Sequence, residues 1–140
     1  MRSVLGLVVL GSLLVLAACR SAAGGGGEVP VGRWTVVVLE GAELGELGRA
    51  PEITIGEDGA LSGFAGVNRF SGRAEPEALR AGELVVGPLA ATRMAGPPAA
   101  MAVETRLLET LTMALAWRRE GEELTLEAEG RILVRLREAH

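Results

Sequence analysis

Lysine, glutamine and tyrosine are absent from this 140-residue chain, and cysteine, histidine, asparagine and aspartate occur once each, as Cys19, His140, Asn68 and Asp58. Each gap removes a chemistry. A single cysteine allows no disulfide within the chain and no thiolate cluster for a metal. A single histidine, at the last position, leaves no material for a Ser-His-Asp arrangement or a histidine metal site. All 14 basic residues are therefore arginine, scattered through a chain of net charge −4, and no basic stripe exists to follow a phosphate backbone. Nucleic acid is not expected as a partner, and neither a metal nor a cofactor is expected. Glutamate supplies all but one of the 18 acidic residues, so paired carboxylates are the remaining route to catalysis, and among so many some pair falls close by chance. The chain is not expected to be an enzyme.

What is present begins with grease. After Arg2, residues Val4 to Ala18 are apolar except for Gly6, Gly11 and Ser12, a run short of the roughly 20 residues that span a bilayer. A cleaved export signal over residues 1–18 is the expectation. It ends in Leu16-Ala17-Ala18-Cys19, which resembles a bacterial lipobox, with cleavage between Ala18 and Cys19 and a lipid on the Cys19 thiol. Two or three acyl chains give stable anchoring, so membrane lipid is an expected partner. Residues 19–31, with glycine at 24–27, read as a flexible tether, and 32–137 as one domain. Arginine rather than aspartate at position 20 leans toward the periplasmic face of the outer membrane.

Beyond the tether, apolar and β-branched runs alternate with glycine punctuation. Trp34–Leu39, Glu52–Ile55, Ala60–Phe64, Asn68–Arg73, Glu83–Val86, Ala116–Arg119, Leu124–Ala128 and Arg131–Leu136 read as short strands, and Glu57-Asp58-Gly59 as the turn of a hairpin. In the last strand Ile132, Val134 and Leu136 are expected on one face. One helix is expected to open at Pro97 and Pro98, with Met101, Leu108, Leu111 and Leu115 on a stripe beside Leu107. Together these predict an α+β domain dominated by antiparallel sheet, a small partly open barrel or curled sheet with one amphipathic helix.

Two local features stand out. The glycines from Gly63 to Gly72 tempt a phosphate-cradle reading, but strand-like residues follow where such a loop needs a helix N-terminus, and a tight bend where backbones approach closely suits them better. Glu104 falls inside the apolar stripe of the helix. A buried carboxylate must be paired or hydrogen-bonded, and Thr92, Arg93 or the Asn68 loop are the candidates, either as a polar lock between helix and sheet or as a ligand-recognition site.

Leu61-Ser62-Gly63-Phe64-Ala65-Gly66-Val67-Asn68-Arg69-Phe70-Ser71-Gly72, then Thr92-Arg93-Met94-Ala95, then Glu104, Leu107, Leu108 and Leu111, resemble in order the META-domain family, to which the HslJ-like heat-inducible small lipoproteins belong. The resemblance runs from Arg33 to about Leu136. It implies a compact sheet-rich fold, an envelope location and an association with stress or with resistance to antibiotics such as novobiocin, and no established molecular activity. Asn68, Arg69, Thr92, Arg93 and Glu104 are the motif residues to watch. Many HslJ-like sequences carry cysteines where Val67 and Gly96 stand here, which implies that these two positions are neighbours, within the roughly 7 Å Cα reach of a disulfide.

Three functions stay open at this point. The chain acts without catalysis in envelope maintenance by binding another envelope protein; or it holds a small apolar ligand among residues such as Phe64, Leu84, Val86 and Leu126; or it is a carboxylate hydrolase. A filled core with an exposed apolar patch favours the first.

Overall fold

A computed structural model describes residues 28–140. The expected signal segment 1–18, Cys19 and the glycine tether as far as Gly27 lie outside the described residues. The fold begins before the expected start at 32: Val29 packs against the core, and the buried Trp34 indole donates to the Pro30 carbonyl at 2.9 Å. It also ends later than 137, since the Ala139 amide bonds to the Arg33 carbonyl.

The first strand, β1 (Gly32–Leu39), turns through Glu40-Gly41 into β2 (Ala42–Glu43), followed by β3 (Glu52–Ile55), β4 (Ala60–Phe64) and β5 (Arg69–Arg73). A short helix α1 (Pro76–Arg80), β6 (Glu83–Leu84) and β7 (Ala90–Ala91) lead to the main helix α2 (Pro98–Leu111), and β8 (Leu115–Glu120), β9 (Glu123–Ala128) and β10 (Arg131–Glu138) complete the chain. All strands join one antiparallel sheet in the order β6-β8-β9-β10-β1-β3-β4-β5-β7, with β2 beside β1. The sheet is strongly curled. Its two ends are both made by the segment 83–91, which begins on β8 through β6, bridges Ala74 through Val86 and ends on β5 through β7. The expected partial barrel is the fold observed.

Alternation places Trp34, Val36, Ile53, Ile55, Leu61, Phe70, Leu124, Leu126 and Leu136 in a single buried cluster. Two-residue turns at Glu40-Gly41 and Glu129-Gly130 have positive φ at both positions, the twist that lets adjoining strands stay paired. Register shifts at Val37 in β1 and Leu133 in β10 break strict alternation. Ile132, expected to face the core with Val134, is 41% exposed as a result: the extra residue turns the strand over, as a bulge does.

Registers also fix the two ends of the barrel. Chain entry at Gly32 lies beside the β3–β4 turn, and α1 covers this end, where the Trp117 indole donates to the Leu79 carbonyl at 3.0 Å. The β4–β5 turn and the starts of β8 and β10 lie at the other end, which α2 spans. On α2 the buried residues are Ala100, Leu107, Thr110 and Leu111. Met101, expected on that stripe, is 40% exposed, and Leu115 has already left the helix to start β8. α1 was not expected, its five residues being too short for a periodic signal.

Candidate functional site

Between β4 and β5 the chain turns through Gly66, Val67 and Asn68 directly beneath the first turns of α2. Gly66 has φ +146, and a Cβ there would lie 2.6 Å from the Ala100 carbonyl oxygen, so glycine alone lets the turn touch the helix. The helix presents Glu104 to that turn. Its Oε2 accepts the Val67 and Asn68 backbone N–H groups at 2.9 and 2.6 Å, and its Oε1 accepts the Asn68 side-chain amide at 2.7 Å.

Asn68 is buried and uses every bond its side chain has. The second Nδ2 proton goes to the Met94 carbonyl at 3.1 Å, while Oδ1 accepts from the Met94 N–H at 2.6 Å and the Thr92 hydroxyl at 3.0 Å. Thr92 Oγ1 in turn accepts the Arg69 N–H at 3.2 Å. Helix, β4–β5 turn and the segment between β7 and the helix are thus tied at one asparagine. Burial pushes the Glu104 carboxyl up, but hydrogen bonds from the Asn68 side chain and from the Asn68 and Val67 backbones outweigh it and hold the group below its ordinary value. A general acid or base working near neutrality needs the opposite shift.

Of the expected residues, Asn68, Thr92 and Glu104 meet in this network, whereas Arg69 contributes only its backbone. Arg93 is exposed and makes no ion pair or side-chain hydrogen bond among the described residues; it takes no part in the lock, because Asn68 already fills the space before the carboxylate. Val67 and Gly96 are neighbours: a Cβ built on Gly96 falls 3.3 Å from Val67 Cβ and 2.6 Å from its Cγ2. The valine side chain rests over the glycine. The main chain of Met94 is the participant that sequence reasoning missed, since a backbone donor and acceptor leave no trace in residue type.

The four residues suggested for an apolar ligand do not line one space. Leu84 and Leu126 are packed in the core, Val86 is half-buried at the seam, and Phe64 stands on the other face of β4 from Leu61, with the Arg49 guanidinium 4.3 Å above its ring. Among the described residues no group of three or more His, Cys, Asp or Glu is placed to hold a metal, and no helix is long and apolar enough to cross a membrane.

A curled antiparallel sheet, covered at its two ends by α1 and α2 and locked to α2 through an asparagine and a glutamate, defines a small β-dominated domain. Residues 28–140 match the META domain model, and the chain belongs to the META domain family. A protein solved by NMR superposes with a TM-score of 0.60 at 27% identity, covering 76% of this chain and 87% of its own. A second NMR structure, of a protein from Burkholderia xenovorans, gives a TM-score of 0.60 at 19% identity over 79% of this chain and 83% of its own. No curated protein matches the chain.

Proposed function

We propose that the chain is an HslJ-like envelope lipoprotein, held by lipid on Cys19 at the periplasmic face of the outer membrane, which acts without catalysis in envelope maintenance under stress by binding another envelope protein. One observation carries this reading. Asn68, Thr92 and Glu104 satisfy one another and the backbone around them, so the polar cluster shapes a rigid surface and keeps no free reactive group, with its carboxylate held in the ionised form. The lipobox-like Leu16-Ala17-Ala18-Cys19 supports the location.

Metabolic labelling with a fatty-acid analogue, followed by mild crosslinking in cells, tests both parts. The wild-type chain should carry label and crosslink to a defined envelope protein, and Cys19→Ser should lose the label and leave the membrane fraction. An unlabelled mature chain, or crosslinks identical in the two versions, would overturn the reading.

A further inference from the structure

Phe64 and Arg69 are direct cross-strand partners on β4 and β5. The adjacent pair, Gly63 and Phe70, puts Phe70 into the core, so by the period of two Phe64 and Arg69 share the outer face. Arg49 stacks on Phe64 from one side. On the other, the Thr92 N–H donates to the Arg69 carbonyl at 3.0 Å and the Arg69 N–H donates to Thr92 Oγ1 at 3.2 Å, which sets Thr92 opposite Arg69 and Arg93 next along the chain. Arg49 and Arg69 therefore flank one aromatic ring, and exposed Arg93 follows the residue that pairs with Arg69.

Only Arg49 has an acidic partner, Glu52 at 3.3 Å. Arg69 and Arg93 are exposed with no ion pair among the described residues. Glu104, the carboxylate behind them, is already held by three donors. Met94 continues the strip and is 63% exposed, an adaptable apolar surface of the kind that re-packs against partners. The strip thus carries an unmet positive charge beside apolar area, and arginine with aromatic and methionine is the composition enriched at interfaces.

We infer that the strip Arg49, Phe64, Arg69, Arg93 and Met94 is the docking surface for an acidic polypeptide segment that also carries apolar side chains. The inference rests on the partner-binding reading above and deepens it. Charge complementarity selects an acidic occupant. Position favours a protein over the anchoring membrane: the chain enters the barrel at the α1 end, through Pro30 and Gly32, whereas Arg69, Arg93 and Met94 lie at the α2 end.

The test uses the purified full chain in a nonionic detergent and three probes: a fluorescein-labelled peptide of glutamate and leucine, its counterpart with lysine for every glutamate, and phosphatidylglycerol vesicles. Anisotropy at low salt should show binding of the acidic peptide alone, with the Met94 methyl resonance shifting on titration. Arg69→Glu with Arg93→Glu should weaken binding at least tenfold. Arg118→Glu with Arg137→Glu, exposed residues elsewhere on the sheet, should change it less than twofold, all variants keeping the wild-type melting temperature. Equal binding of the two peptides, equal loss in both double variants, binding to vesicles alone, or no binding at millimolar peptide would overturn the inference. The lipid labelling and crosslinking above are read independently, so a failed surface is distinguishable from a failed envelope reading.

Discussion

The side-chain amide of Asn68 donates to Glu104 Oε1 at 2.7 Å while its backbone N–H donates to Oε2 at 2.6 Å, so one asparagine grips both oxygens of a carboxylate 36 residues away. These bonds stabilise the ionised form and lower the pKa of Glu104 in the folded protein. Their contribution is fully present above the unfolded value of about 4.3 and is lost as pH falls through the depressed folded value. Urea denaturation between pH 7 and pH 3 should show wild type losing its advantage over Glu104→Gln as the solution is acidified. A difference that stays constant over that range would mean that the charge of Glu104 contributes nothing.

Replacing Asn68 by aspartate keeps the shape and reverses the electrostatics. An oxygen takes the place of Nδ2, facing Glu104 Oε1 and the Met94 carbonyl where hydrogen bonds stood. The loss at pH 7 should be about 3 kcal/mol or more, the range for a buried unpaired charge. It should shrink on acidification, because a proton shared between the two carboxylates restores a bond. This is the reverse of the wild-type trend, and thermal unfolding at several pH values reads it directly.

Val67 and Gly96 lie close enough for a covalent bridge. The Val67→Cys, Gly96→Cys pair should oxidise in air and raise the melting temperature under non-reducing conditions. Closing a loop of that length stabilises by roughly 3.5 kcal/mol in the chain-entropy model. Gly96→Ala by itself should destabilise by about 1 kcal/mol, since its methyl would sit 2.6 Å from Val67 Cγ2. Pairing it with Val67→Ala should recover most of that loss. Free thiols persisting in the double-cysteine chain, by thiol titration, would contradict the contact.

Gly63 marks where the sheet has no room. A Cβ there would fall 2.0 Å from the Glu52 carbonyl oxygen and 2.9 Å from Phe70 Cε1; Phe70 occupies the space the missing side chain leaves. Gly63→Ala should therefore lower stability by more than about 2 kcal/mol, because backbone itself must move. Gly45→Ala, with nothing within 4 Å and no positive φ, should change it by less than about 0.5 kcal/mol. Chemical denaturation of the two variants side by side checks the contrast.

The sequence made the longer strands, the β3–β4 hairpin and the main helix legible through hydrophobic period, and an asparagine loop facing a glutamate inside an apolar stripe pointed to the lock. What escaped it has physical causes. The bulges at Val37 and Leu133 shift the period by one residue without any marker in composition, which sent Ile132 to the wrong face. Met101 satisfies the helical spacing but lies outward, its Sδ accepting the Gly96 N–H at 3.5 Å. β2 and β7 have two residues each, too few for a pattern, and exist because neighbouring strands offer them partners, whereas the expected strand Glu83–Val86 is found as β6 with a bridge at Val86. Arg93 was a fair candidate for Glu104 on charge, yet neutral amide donors at hydrogen-bonding distance took its place.

The central claim is that Asn68 and Glu104 act as one structural unit. A double-mutant cycle by urea denaturation at pH 7, using Asn68→Ala, Glu104→Ala and the double variant, measures it most directly. Each single change leaves part-buried donors or acceptors without partners, at about 2 to 4 kcal/mol, and the second change should add little, giving a coupling of at least about 1 kcal/mol. Losses that simply add, or singles within about 0.5 kcal/mol of wild type, would contradict the account.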